Sequence, residues 1–451
     1  MLLSPKNIVE QLDKYIIGQI EAKKAIAIAF RNRYRRLMIK DKELQDDITP
    51  KNVLLIGSTG VGKTEIVRRA AKICDAPFIK VEATKFTEIG YVGKDAESII
   101  RDLVDKAINE IKSIEKKAVQ SKARDKAEAE ILRKLYAKFQ ATGDKAEKES
   151  IKKDFKSGGL DKEKVKIEIK EDIGNGLGFQ EIDIPSSMGN AAQVGIISIS
   201  DILKGSNATF QEVEKTTIEA IEILTEEYAN DMIDEKAIIA KAIKTVQENG
   251  VVFIDEFDKI ISSKDSNGGR GEVSREGVQR DLLPIIEGTS VSTKYGQIDT
   301  RHILFIACGA FYENKPEDLL PEIQGRFPVQ AKLKRLTQDD FYKIITNTQN
   351  NLILQYTKML EVDNVKIKFT DSAIKAISEV AFNANQKYED TGARRLHSVL
   401  EMSLQDLLFE NPSISEDTKT KKQSITLDDA AIYKNVPELL KDRNEAEKFI
   451  L

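Results

Sequence analysis

The octapeptide GSTGVGKT at Gly57–Thr64 constrains this chain more than any other feature, because it follows the apolar run Val53–Ile56 and precedes a helical pattern over Thr64–Ile73. The spacing G-x-x-x-x-G-K-[ST] in a strand–loop–helix context makes a phosphate-binding loop. Gly57, Gly60 and Gly62 permit turns with φ > 0, so consecutive backbone N–H groups converge on an anion. Ser58, Thr59, Val61 and Glu65 are the other positions of the loop and the first helical turn. Lys63 is placed to reach β- and γ-phosphates, and Thr64 to offer its hydroxyl to Mg²⁺. An α/β fold with a parallel sheet follows.

A second motif, VVFIDEFDK, ends an apolar strand on Asp255 and Glu256. Asp255 at the strand end is suited to Mg²⁺, and Glu256 to orienting or deprotonating an attacking water. Two adjacent carboxylates at a buried strand end are unfavourable without a cation, which favours a functional reading. Asp258 and Lys259 make either a supporting polar shell or a plain surface pair. Further strands are expected at Phe78–Val81, Ile303–Ala307 and Phe327–Ala331, and most of these runs are apolar throughout, as in a sheet covered on both faces. ATP with Mg²⁺ is the expected cofactor pair.

Asp255 lies 192 positions after Lys63, far more than a few βα units need. A mostly helical domain is therefore expected to be inserted at 107–245, rich in Lys, Glu and Ala, with a β-like middle containing GLGF at Gly176–Phe179 and more helix up to Gln247. The core is then discontinuous, 1–106 and 246–332, and a small α+β domain occupies 333–451. In that domain Thr337–Leu360 reads as one long helix, Val365–Phe369 as a half-exposed strand, and Thr370 and Gly392–Phe409 as further helices.

Three more segments carry candidate chemistry. PEIQGRFP contains Glu322, counted among the nucleotide-binding candidates, and Arg326; Arg326 is either a residue aimed away from its own nucleotide or a surface salt-bridge arginine. TGARRLHSVLE places Arg394 in the first turn of a helix, against the helix dipole, so either an anion lies nearby or the arginine is simply solvated. His397 on that helix reads as a packing or capping residue. GYVG at Gly90–Gly93 is either a mobile loop with an exposed aromatic, Tyr91, beside Val92, or an ordinary turn.

Composition sets outer limits. The chain has 451 residues, 41% apolar and 32% charged, with formal charge −4. That is too long for one core and gives no general attraction to nucleic acid or anionic lipid. No apolar stretch is long enough to span a bilayer, and MLLSPKNIVEQL lacks the basic-then-apolar order of a secretory leader, so the cytoplasm is the expected compartment. Cys74 and Cys308, with only His302 and His397 beside them, read as free thiols rather than a disulfide or a zinc site.

Taken together, the phosphate loop, DEFDK, the arginine ahead of the last domain and the GAR tripeptide resemble the AAA+ family, in its Clp/Hsp100 unfoldase branch, over essentially the whole chain. The resemblance implies a homohexameric, ATP-driven unfoldase that threads proteins into a separate peptidase. YIIGQ at Tyr15–Gln19 is similar to the family's adenine-contacting box, which implies that Ile16, Ile17 and Gly18 hold adenine. Arg326 would complete a neighbour's site, Arg394 would act as sensor 2, and Gly90, Tyr91, Val92 and Gly93 would form the pore loop that grips substrate. The apolar tail Phe449, Ile450 and Leu451 resembles a peptidase-docking terminus. GLGF resembles another docking loop of the branch but lies inside the insertion, where it reads as a loop of the insert. The polar residue expected after the fourth strand is missing, with Cys308 and Gly309 in its place. A related ring ATPase acting on DNA would want a basic pore, which GYVG between Glu88 and Asp95 does not offer. A nucleotide-gated scaffold would not need Glu256.

Overall fold

The computed structural model describes residues 3–86, 95–141, 148–170, 210–261, 275–410 and 423–436. The chain divides into two compact units, Met1–Asn109 with Ile239–Leu451, and Glu110–Ile238.

The first unit is built on a five-stranded parallel sheet: β1 (Val53–Ile56), β2 (Phe78–Glu82), β3 (Val251–Asp255), β4 (Leu304–Gly309) and β5 (Val329–Lys332), in the order β2-β3-β4-β1-β5. The apolar runs predicted this core. β4 is buried along its whole length, and β1 and β3 are buried up to their last residues. β2 is the exception: as an edge strand it keeps only half of its surface covered, which explains the two charges in FIKVE. The helices Pro5–Asp13, Ile20–Leu37 and Lys63–Ile73 pack on one face through Ile8, Leu12, Ile26, Phe30, Ile66 and Val67. A hairpin of Ser290–Thr293 with Gly296–Asp299 was not anticipated. Its two-residue turn, Lys294-Tyr295, is followed by Gly296, whose φ of 127° suits glycine.

The C-terminal part of this unit has its own core, in which Phe341, Ile345, Val380, Leu396, Val399 and Leu404 are buried. Val365–Phe369 pairs in parallel with Gln423–Leu427. The single helix expected at Thr337–Leu360 is in fact two, Gln338–Asn347 and Leu352–Val362. Asn350 takes a left-handed conformation (φ 59°), and the Asn351 side chain accepts the Leu354 N–H at 2.9 Å to begin the second helix. Asparagine competes with the helix for backbone donors, so a local cap overrode a continuous apolar period.

The first of these helices opens on a capping box, Thr337 accepting from the Asp340 N–H (3.2 Å) and Asp340 accepting from the Thr337 N–H (2.9 Å). Thr337→Ala should lower the local stability of this domain by about 1 kcal/mol. Amide hydrogen exchange in Gln338–Asn347 would show it as roughly fivefold faster opening, and unchanged protection would rule the cap out as the helix's start signal.

The second unit, Glu110–Ile238, packs Ala127, Ile131, Leu135, Ala220 and Leu224 on an antiparallel pair, Lys164–Lys170 with Phe210–Thr216. The β-like KVKIEIK is thus a strand, but its partner Phe210–Thr216 falls where the sequence was read as helix. Thr216 then caps Thr217–Asp231 with Glu219 in a second capping box. GLGF lies outside the described residues.

Candidate nucleotide site

The strand order brings the chemistry together. β4 lies between β1 and β3, so the ends of all three strands converge at the carboxyl edge of the sheet. Ligands of open α/β sheets bind at that edge, where the order reverses. The cavity there is about 550 Å³ and its walls include Thr59–Glu65, Asp255, Glu256, Asp258, Lys259 and Arg394. The fold thus brings the phosphate loop and the acids of VVFIDEFDK to one cavity.

The loop is shaped for an anion. Gly60 and Gly62 have φ of 72° and 101°, and Gly62 caps the Lys63–Ile73 helix. Among the described residues, the amides of Thr59 to Glu65 donate to no protein group. The Ser58 hydroxyl is buried without a partner. Unpaired donors at a helix N-terminus are a phosphate site, so these residues fit the phosphates of a nucleotide. Lys63 folds back on the Gly57 and Ser58 carbonyls, the latter at 2.9 Å. Burial lowers its ammonium from the ordinary lysine value, although Asp255 and Asp258 oppose this. Gly57 is confined differently: its N–H donates to Gly309 O (3.1 Å), and a Cβ there would meet the Leu333 side chain at 2.9 Å.

Asp255 is the best-braced carboxylate in the site. Its Oδ1 accepts the Cys308 thiol at 2.9 Å, and its Oδ2 lies 2.7 Å from Lys80 Nζ and 3.5 Å from Thr64 Oγ1. Burial alone would raise its pKa, but the Cys308 and Lys80 hydrogen bonds and the lysine charge outweigh that and hold it below the usual aspartate value. Cys308, buried next to that carboxylate, is pushed well above the ordinary thiol value and so stays a donor. The thiol standing where a polar sensor was expected therefore orients Asp255. A hydroxyl and a carboxylate this close, both oxygen donors, suit a hard divalent cation.

Glu256 is exposed beside it in a left-handed conformation (φ 55°), its carboxylate 3.4 Å from Thr84 Oγ1. Asp258 settles as the supporting shell rather than a surface residue. It is 8% exposed, accepts the Phe311 N–H at 3.1 Å and faces Gly309, where a Cβ would come within 2.6 Å of its carboxylate.

The opposite wall is apolar. Tyr15, Ile16 and Ile17 line it with Leu336 and Ile344, and the Arg69 guanidinium stacks on the Tyr15 ring at 3.6 Å. Gly18 is not on the wall. With φ of 65°, followed by Gln19 at 54°, it turns the chain into the Ile20–Leu37 helix. The Gln19 amide then both donates to Lys334 O (2.8 Å) and accepts the Lys334 N–H (2.9 Å).

The small domain closes the cavity by backbone contact. Ala393 N–H donates to Gly60 O at 3.0 Å, and a Cβ on Gly60 would stand 2.0 Å from Thr391 O. Arg394 and His397, three residues apart on the Arg394–Glu410 helix, face the cavity together. Sequence reasoning took His397 for a packing or capping residue and missed Tyr15, Lys80, Leu336 and Ile344. The i, i+3 spacing from Arg394 was the available signal for His397.

Two further predicted residues, besides Gly18, are elsewhere. Arg326 ends the Pro321–Arg326 helix, half exposed, with its guanidinium on Glu287 at 2.7 Å, and neither it nor Glu322 lines the cavity. Gly90, Tyr91, Val92 and Gly93, and Phe449, Ile450 and Leu451, lie outside the described residues. No helix among the described residues is long and apolar enough to cross a membrane.

Known proteins resemble this chain along its whole length. Residues 53–152 match the family model "ATPase family associated with various cellular activities (AAA)", and 186–338 match the AAA domain (Cdc48 subfamily). Residues 336–427 match the C-terminal D2-small domain of ClpB protein. The chain is 44% identical over 449 residues to the ATP-dependent protease ATPase subunit HslU of Parvibaculum lavamentivorans, covering 99% of each. It is 45% identical to the HslU of Beijerinckia indica (99% of each) and 44% identical to that of Rickettsia prowazekii (100% of this chain, 97% of the relative). The fold is that of an AAA+ ATPase, and the chain uses ATP. With this identity along its whole length, the chain belongs to the HslU family, the ATPase subunits of ATP-dependent proteases.

Proposed function

We propose that this chain is the ATP-driven unfolding subunit of a two-component cytoplasmic protease, working as a homohexamer that threads protein substrates into an HslV-type peptidase and activates it. The observation that supports this reading most directly is a nucleotide cavity walled by both the core and the small domain, since such a cavity couples the state of the nucleotide to the relation between the two.

Within the cavity, Gly57, Ser58, Thr59, Gly60, Val61 and Gly62 wrap the phosphates, and Lys63 binds them by charge. Ile17 and its neighbours hold the base. Thr64 and Asp255 would hold Mg²⁺, which when bound neutralises charge on the β- and γ-phosphates. Glu256 takes the proton from the attacking water at its carboxylate oxygen, and Arg394 binds phosphate from the small domain. Arg326 and Glu322 serve the neighbouring subunit's site. The Arg326–Glu287 pair is exposed, and such a pair contributes little, so it yields readily to a phosphate. Tyr91 and Val92 grip the threaded chain. Phe449, Ile450 and Leu451 dock on the peptidase, because an apolar chain end gains most from a partner groove.

The test combines the chain with an HslV-type peptidase and a folded substrate. ATP-dependent degradation is expected, and removal of Phe449–Leu451 should abolish it while basal ATPase stays within about twofold of the full chain. Degradation unaffected by the deletion would remove the docking role. No degradation by the full chain would remove the partner.

A further inference from the structure

A second cavity, of about 480 Å³, lies at the other edge of the sheet. Lys51 precedes β1, Glu248 precedes β3, His302 precedes β4, and Val329 opens β5, so the cavity sits at the amino ends of the strands. It shares no wall residue with the nucleotide site. Its volume falls within the usual range of small-molecule pockets.

Its charge is one-sided. Arg33, Arg35, Arg36 and Lys51 line it against the one carboxylate of Glu248. Arg33 is 5% exposed, and among the described residues its guanidinium meets a backbone carbonyl, that of Glu248 at 3.0 Å, but no carboxylate. Its Nε is buried without a partner, and so is Nδ1 of His302. Arg36 is 7% exposed, gives its Nε to Gln45 O at 2.8 Å, and has its nearest carboxylate, the solvent-facing Asp46, 3.9 Å away. Burial, and after it the neighbouring Arg36, lower the Arg33 guanidinium to about 9. A buried cation without a counter-ion, as Arg33 is, is strongly unfavourable unless an anion joins it. The rest of the wall is largely apolar, including Ile28, Ile39 and Ile48. Ile28 is 46% and Ile48 36% exposed, which leaves apolar surface for a ligand to cover.

We propose that this cavity binds a small organic carboxylate, its head group against Arg33, Arg36 and Lys51 and its apolar body against Ile28, Ile39 and Ile48. A guanidinium matches a carboxylate with two parallel hydrogen bonds, and the apolar wall selects against a bare inorganic anion. Glu248 opposes a second negative charge, so a monocarboxylate is favoured.

Calorimetric titration of the full chain with octanoate, the nucleotide cavity being saturated with ADP, tests this. Saturable binding of one octanoate per chain is expected, with octanamide and inorganic phosphate each at least about tenfold weaker. Arg36→Met should weaken octanoate by about tenfold or more, and Lys51→Met, at an exposed position that folding tolerates, by about threefold. Octanamide or phosphate binding as tightly as octanoate would overturn the proposal. So would octanoate affinity unchanged in Lys51→Met, which decides the matter even if Arg36→Met fails to fold.

Discussion

Replacing Glu256 with glutamine is expected to cut ATP turnover by about 10²–10⁴-fold while leaving nucleotide affinity within about threefold. Glutamine keeps the length of the side chain and can still meet Thr84, whose hydroxyl lies 3.4 Å from the Glu256 carboxylate. It removes only the ability to accept a proton. The backbone should not react, because the left-handed conformation at residue 256 is as accessible to glutamine as to glutamate. Asp255 keeps its braces from Cys308 and Lys80, neither of which involves residue 256. Steady-state phosphate release measured beside binding of a fluorescent nucleotide separates the two effects. Turnover within about threefold of the parent would show that another group takes the proton, and the exposed Glu256 would then be no more than a neighbour of Asp255.

The second large effect concerns Gly60. Adding one carbon there would place it 2.0 Å from Thr391 O, and the obstructing atoms are backbone that cannot rotate away. The residue is also at φ 72°, where alanine is strained by roughly 1–2 kcal/mol before any contact is counted. Gly60→Ala should therefore break the Ala393–Gly60 hydrogen bond and push the small domain off the loop, weakening nucleotide binding by about 10²-fold or more. Gly392→Ala attacks the same contact from the other side: its Cβ would stand 2.5 Å from Thr59 O, at φ 57°. Because both changes destroy one contact, the double variant should be little worse than either single one, a coupling of more than about 1 kcal/mol in a double-mutant cycle. Nucleotide affinity near the parent value in Gly60→Ala, or additive losses in the pair, would mean that this backbone contact does not close the site.

Much of the site was legible because its chemistry is local. GSTGVGKT carries its turn glycines, its lysine and its helix start in eight consecutive residues, and VVFIDEFDK carries strand and acids in nine. What was not legible depends on neighbours distant in sequence. Lys80 looks like a surface charge on an edge strand until the β2–β3 register puts it beside Asp255. Cys308 looks like a core residue until β4 is found between β1 and β3. Ile344 reads as part of a helix and Leu336 as the residue two before its start, and only the fold sets both in one wall with Tyr15–Ile17. The fold shows the same division. Core strands followed from continuous apolar runs, whereas the break at Asn350–Asn351 and the strand Phe210–Thr216 turned on a single cap and a distant partner.

The grip of Gln19 on Lys334 sets the mechanical character of the molecule. Its side-chain amide occupies both backbone groups of Lys334, as an adjacent strand would, and Leu333 N–H is already held by Ile56 O at 2.7 Å. The next fixed point is the capped turn at Thr337. Only Arg335 and Leu336 lie between, so any swing of the following domain is funnelled into about four backbone torsions. Leu336 is also a wall of the nucleotide cavity. The one short stretch of chain free to bend therefore also lines the cavity, so the hinge and the nucleotide cavity share a side chain.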